Sequence, residues 1–431
     1  MKGKGVFQLV VLILFIAGGI FGVLVFSGAI SLGTDSTKAA GTVVMWGTIK
    51  TANMSALIEN FNQGNDDFKV VYVEKAQDGF DQSLLEALAS GTGPDMFFLP
   101  NDLAFHYSNK IFTVPYESYP LVNFKNNFTG AGEVFLNQNG ILAFPILVDP
   151  IVMYYNRSIL DSNAIIYPPK TWGELTAMVP ILTKKDTANK INKSAVAFGH
   201  FSNVNHAKDI LVSLFMQAGN PIVGPKNGSL GSALNNGGEK YDLGSILQFY
   251  VDFADPVKPV YSWNKSFPRA VDAFSSEDLA IYFGFASEFR SLLNKNPNQN
   301  IGIAPIPQIG DGSSKVTNSK VMGIAIAASS KNPNTAFTAA SQMATGNFAL
   351  NLALTLGVPP ARRDLLSSKP KDAYSPILYD SALFAKSYID PSSEDTDNIF
   401  RTMIDETISN NKTASSAISD ASNKLDFLLI K

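Results

Sequence analysis

The sequence predicts an α/β protein of two lobes, each a doubly wound sheet, and three observations lead there. The chain has 431 residues, 45% of them hydrophobic, which is enough to fill more than one core. Its folded part opens on a β-α-β-α-β alternation between Thr42 and Leu99, the pattern of a parallel sheet with helices on its faces. Strand and helix patterns alternate again from Arg269 to Ala344.

Taken in order, the chain begins with Lys2 and Lys4 and then the uncharged stretch Val6–Ile30; the next ionisable residue is Asp35. A helix of that length rises about 38 Å, more than the roughly 30 Å of bilayer hydrocarbon, so it can span a membrane. The two lysines keep its start cytoplasmic and send the remainder outside. An uncleaved anchor is the first expectation; a cleaved signal is the second, with small residues at Ser27-Gly28-Ala29 where a peptidase could cut. Residues 31–41 read as a short tether.

Thr42–Lys50 is a β-branched apolar run and reads as the first strand. Leu57, Ile58 and Phe61 recur at helical spacing, Phe68–Ala76 reads as a second strand, and Leu84, Leu85 and Leu88 mark one face of a helix that ends at Gly91. Asp95–Leu99 is then the third strand. The glycines of GTGPD therefore follow a helix and open a strand, whereas a phosphate-cradling loop follows a strand and opens a helix. They are structural. Ligands of doubly wound sheets sit beyond strand ends, which makes Asp102, after Pro100-Asn101, the candidate contact.

Gly140–Leu160 is an apolar passage interrupted by Pro145, Asp149 and Pro150, and Thr171-Trp172-Gly173-Glu174 is a capping box that opens a helix. Gly224–Asp242 is polar and glycine-rich, as a surface loop or hairpin is. Leu279–Phe283, Ile301–Pro307 and Val321–Ala328 are strands, Asn332-Pro333 starts a helix, and the tail from Ser392 carries terminal helices.

Composition excludes several functions. The formal charge of −3 offers no basic face for nucleic acid. With 0 Cys there is no disulfide framework, thiolate metal site or cysteine nucleophile. None of His106, His200 and His206 stands in an HExxH, no GxSxG elbow occurs, and Pro225 stands where a P-loop needs lysine. No metal or other cofactor is expected.

Four stretches in fixed order carry a family resemblance: SGTGPDMFF at the end of the opening unit; FPILVDPIVMYYNRSIL with PPKTWGEL; AFSSEDLAIYFG; and VMGIAIAASSKNPNTAFTAASQMAT with VPPARRDLL. Together they resemble the extracytoplasmic solute-binding proteins of ABC importers, in the sugar-binding cluster that includes maltose-binding protein. The resemblance implies two α/β lobes joined by a three-segment hinge, a type II periplasmic binding protein-like fold, closing on a ligand between them. Carried onto this chain, residues 42–148 and 304–342 form the first lobe and residues 151–301 and 347–431 the second. Hinge crossings fall near Asp149-Pro150, Ala304-Pro305 and Thr345-Gly346. The implied protein is a monomer that lies outside the cytoplasmic membrane, binds a mono- or oligosaccharide and delivers it to ABC permease subunits.

Candidate ligand-binding residues follow from both lines of reading. Asp102 lies where sugar-binding members place a carboxylate on ligand hydroxyls, and an ionised carboxylate accepts strong hydrogen bonds from them; the alternative is a cap for the next helix. Asp149 aligns with a ligand-contacting glutamate, and an acid in so apolar a run needs a partner. Trp46 closes the first strand ahead of Thr48 and Lys50, and stacks on a sugar or packs in the core. Trp263, among polar neighbours, is expected to stack on ligand from the second lobe. Phe285 and Ser287 occupy the turn after a second-lobe strand, where the family often has tryptophan. Two other functions fit the same residues: a secreted glycoside hydrolase using Asp102 and Asp149 as its carboxylate pair, and a membrane-anchored surface or adhesion protein.

Overall fold

The computed structural model describes residues 41–235, 241–310 and 315–430. Val6–Ile30 lies outside them; among the described residues no helix is long and apolar enough to cross a membrane.

Gly41–Gly47 (β1) and Phe68–Glu74 (β2) pair in parallel from Gly41↔Phe68 to Gly47↔Glu74. The crossover between them, Thr51–Gln63 (α1), buries Met54 and Ile58. Phe80–Ser90 (α2) buries Phe80, Leu84, Ala87 and Leu88, and ends at Gly91, whose φ of 71° is the left-handed conformation that favours glycine. Met96–Pro100 (β3) then returns parallel to β1 on its other side. The glycines after α2 thus do the turning that their order in the sequence implies.

Ala143–Asn156 (β4) is 14 residues long and buried everywhere except at Asp149, which is half-buried. Strands covered on both faces read as continuous apolar runs, which is why this one shows no alternation. Beyond it come Ile191–Val196 (β5), the helix Ala207–Gln217 (α3), the hairpin of Val223–Lys226 (β6) and Ser229–Ser232 (β7), and then Leu279–Phe285 (β8), Ile301–Pro305 (β9) and Thr317–Ile326 (β10). Pro333–Thr345 (α4), Asn347–Leu356 (α5), the short strand Ala385–Lys386 (β11), Ser393–Ile408 (α6) and Ala414–Leu429 (α7) complete the part that positions the site. Side chains cap the last two helices: Ser392 accepts from the Asp395 amide and Thr413 from the Ser416 amide.

Ten strands form one sheet in the order β2-β1-β3-β10-β4-β8-β5 and then Lys184–Lys185, with β9 on β4 and β11 on β10. β4 runs through both halves of it. Its first half pairs antiparallel with β10, from Ala143↔Ala325 to Pro150↔Ser319, and its second half pairs antiparallel with β8 and β9. Two hydrophobic cores lie to either side. One gathers Val43, Met96, Phe144, Ile324 and Ala339; the other gathers Tyr154, Phe198, Phe283 and Met403.

The passage between the cores at Asp149-Pro150 sits inside β4, with Val148 in the first core and Ile151 in the second. Thr345-Gly346 marks no such passage. Phe348, Leu352 and Leu366 pack in the first core, which corrects the expectation that residues from 347 onward all belong with the second. Gly346 ends α4 and lets α5 fold back over the same core, against α1. Ser375–Leu383 then lies against both cores, with Leu378 in the second and Tyr379 and Ala382 in the first, and from Ile399 onward the buried apolar residues all belong to the second.

Candidate functional site

At the end of β3 the buried Asn101 accepts a hydrogen bond from the Val321 amide at 2.8 Å, which locks the turn to β10. Asp102 follows. The helix beyond, Ala104–Tyr107, starts after Leu103 and has no side-chain cap, so Asp102 is not acting as one. Burial pushes its carboxyl above the usual range, Asp390 adds to the shift, and Lys320 and Lys208 oppose it.

Asp149 sits where β4 passes between the cores. Its Oδ1 accepts from the Ser287 amide at 2.9 Å. Burial raises its pKa to about 6, against the pull of Ser287 and Lys320. Lys320 is its direct cross-strand partner in β10 and places its ammonium 4.3 Å from the centre of the Phe285 ring, within cation–π reach. Phe285 is itself buried, with the His206 ring edge-on at 4.8 Å.

His206 precedes α3 with a φ of 59°, a left-handed conformation that a non-glycine residue adopts only when its surroundings require it. Its Nε2 lies 2.7 Å from Glu288 Oε1. Glu288 also accepts from the Tyr282 hydroxyl at 2.6 Å and from the Phe285 amide at 2.9 Å, and these partners hold its carboxyl below the usual range despite burial. The turn after β8 is thereby fixed from three sides.

Another part of the site is an ion-pair group in which Lys208 and Asp390 are buried and Asp397 reaches solvent. Lys208 Nζ lies 3.1 Å from Asp390 Oδ2 and 2.6 Å from Asp397 Oδ1. Asp390 accepts further bonds from the Tyr388 and Thr396 hydroxyls and the Ser392 amide. Its carboxylates hold the Lys208 ammonium above its ordinary value although burial acts the other way. Asp209 accepts from Asn318 Nδ2 at 2.9 Å, and burial raises its carboxyl.

Asp102, His206, Lys208, Asp209, Lys320 and Asp390 line one cleft of about 270 Å³. Its walls come from both cores, because the end of β3 and the start of β10 meet the start of α3 and the chain ahead of α6. Such a space offers many acceptors, a few ammonium donors and aromatic edges, which is what orients a small polar ligand. A larger apolar cavity of about 530 Å³ adjoins the β6–β7 hairpin, between Phe105, Leu136, Leu142 and Leu230.

The expected residues divide. Asp102 lines the cleft, and Asp149, Phe285 and Ser287 are tied to its wall through Lys320 and the Ser287 amide. Trp46 is half-buried against the first core under the Lys75 ammonium, 3.5 Å from its ring centre. Thr48 is half-buried, and Lys50 is exposed and paired with Glu74 at 3.3 Å; none of these three lines the cleft. Trp263, expected to stack on ligand, is corrected outright. It is fully buried in the second core, stacks on Phe267 at 4.6 Å, and donates from Nε1 to Asn203 at 3.1 Å.

Lys320, Lys208, Asp209 and Asn318 escaped sequence reasoning. The one available signal was His206-Ala207-Lys208-Asp209, a charged start to an apolar helix.

A model of the bacterial extracellular solute-binding protein family matches residues 56–375. No curated protein matches by sequence. Solved structures do match in fold. A cyclo/maltodextrin-binding protein complexed with maltotetraose is 17% identical with a TM-score of 0.72, over 93% of this chain and 99% of that one. A cyclic α-maltosyl-1,6-maltose binding protein from Arthrobacter globiformis is 14% identical with a TM-score of 0.73, over 90% and 98%. The sugar-binding protein MalE from Xanthomonas citri is 18% identical with a TM-score of 0.71, over 90% and 97%.

Proposed function

The chain belongs to the bacterial extracellular solute-binding protein family, and from that premise we propose that it captures a carbohydrate between two lobes and delivers it to the permease of an ABC importer. One observation carries the reading: a polar cleft walled by elements that flank both cores, which β4 joins. The sugars named with its structural neighbours support the ligand class.

The lobes of this reading are built on the two cores, with Val43–Val148 and Val321–Leu366 in one and Ile151–Ile306 and Tyr388–Leu429 in the other. Asp102 and Lys320 contact the ligand from the first; His206 and Asp209 contact it from the second. Asp149 and Ser287 form the bond at the base of the hinge, with Phe285 beside them. Trp46, Thr48 and Lys50 serve longer ligands at the rim. The protein works outside the cytoplasmic membrane, held by Val6–Ile30 as an anchor or released after its cleavage, and it binds without turning its ligand over.

Ligand shifts the balance between open and closed lobes only through its greater affinity for the closed form. A thermal-shift screen against mono- and oligosaccharides tests this, because ligand at 100 times its Kd stabilises by about 2.7 kcal/mol. A shift with one sugar, accompanied by compaction in small-angle scattering, is expected. Folded, ligand-free protein that responds to no sugar would sink the reading.

A further inference from the structure

The cleft holds more carboxylate than its own cations neutralise. Asp102, Asp209, Asp390 and Asp397 line it against the ammoniums of Lys208 and Lys320. Lys208 is committed to Asp390 and Asp397. Asp102 and Asp209 lack that match. Burial is the main force raising both carboxyls, Asp390 pushes the first further and Asp397 the second; Lys208 and Lys320 oppose both, with His206 foremost at Asp209, and Lys320 also serves Asp149. Of the other two basic groups that act on Asp209, His206 is turned to Glu288 and Lys208 to Asp390 and Asp397.

A second observation points the same way. Asn318 lines the cleft and is 2% exposed. Its Nδ2 is used on Asp209, but its buried Oδ1 meets no donor. A buried acceptor without a donor costs free energy, so this wall is short of N–H or O–H groups as well as of positive charge. A neutral polyol supplies donors without the charge. A protonated amine supplies up to three donors and the missing charge together.

We propose that the ligand of this cleft carries a protonated amine, set between Asp102 and Asp209, and that the cargo is an amino sugar. The inference rests on the reading of the chain as a carbohydrate receptor and narrows it. A linear polyamine presents the same ammonium chemistry and is its other possible source.

Calorimetric titration of the full chain in detergent, with four probes, tests this: a glucosamine trimer, its N-acetylated counterpart, maltotriose and spermidine. The glucosamine trimer should bind on the order of tenfold tighter than the acetylated one. Its affinity should fall with added salt and should rise with pH as Asp102 and Asp209, both held above the ordinary carboxyl range by burial, ionise. Asp102→Asn and Asp209→Asn, each shown to be folded by its melting curve, should lose most of that preference. Spermidine binding alone would uphold the ammonium and overturn the sugar. Equal or tighter binding of the acetylated trimer or maltotriose overturns the amine and leaves the carbohydrate receptor standing. Silence with all four probes overturns both.

Discussion

Lys320 stands directly opposite Asp149 across the antiparallel pairing of β10 with β4, and its ammonium, although the residue is exposed, lies 4.3 Å from the centre of the Phe285 ring. One side chain thereby connects the strand that joins the two cores with the turn after β8. It also opposes the burial that raises Asp102, Asp149 and Asp209.

Replacing that cation is the most direct probe of the cleft. In Lys320→Met the burial of the three carboxyls is countered by one cation fewer, so each should titrate at higher pH than in the native chain. Carboxyl NMR should find Asp149 above its native value of about 6. Unchanged titration in the variant would mean that the ammonium does not act on this carboxylate.

Stability should depend on pH through the same group. The folded pKa of Asp149 is raised from 3.8 to about 6. The native state therefore holds this proton more tightly than the unfolded chain does. The resulting stabilisation is complete below about pH 4 and is lost as pH rises through about 6, a swing of about 3 kcal/mol at most. Asp149→Asn, whose side-chain oxygen can still accept from the Ser287 amide, should flatten that part of the profile in urea titrations and be the more stable form at neutral pH. A profile identical to that of the native chain would remove Asp149 as the cause.

Much of this was legible in the sequence, for identifiable reasons. The opening unit could be read because helix and strand periods differ and Gly91 marks a helix end. Asp149 stood out because a lone acid in an apolar strand needs a partner. Lys320 did not, because a lysine at one position of Asn318–Ile326 looks like the solvated face of a strand, and it is indeed exposed; only the pairing with β4 places it opposite an acid. The lines drawn at Thr345-Gly346 and around Trp263 failed for related reasons. Glycine punctuates a fold-back as readily as a hinge, and polar neighbours do not make a residue exposed. Ser262 is itself buried and accepts from the Ala195 and Val196 amides, each at 3.1 Å.

The Lys208 group should govern stability more than its pairings suggest singly. Removing one partner of a buried ion pair leaves the other charge uncompensated, at a cost of about 3–5 kcal/mol. Lys208→Met should therefore destabilise the fold by about that much, since it strands Asp390, which is 3% exposed. Lys208→Met with Asp390→Asn should recover part of the loss, which chemical denaturation of the single and double variants would measure. A purely additive result would mean that the two side chains do not act as a pair.

Trp263 separates packing from recognition. Its ring is fully enclosed and parallel to Phe267, and its Nε1 is the donor to Asn203 Oδ1. Asn203 in turn holds the backbone around it, donating to the Asn264 and Phe267 carbonyls at 2.9 and 3.1 Å. Trp263→Ala opens a large cavity in the second core and leaves an amide oxygen without its donor, so it should cost about 3–5 kcal/mol. Trp263→Phe keeps most of the volume and loses only the donor, so it should cost less. In both variants the folded fraction should bind ligand as the native protein does, because no atom of this side chain reaches the cleft. Denaturant midpoints together with calorimetric Kd values divide the two roles: weaker binding at unchanged stability would restore the stacking role that the sequence suggested.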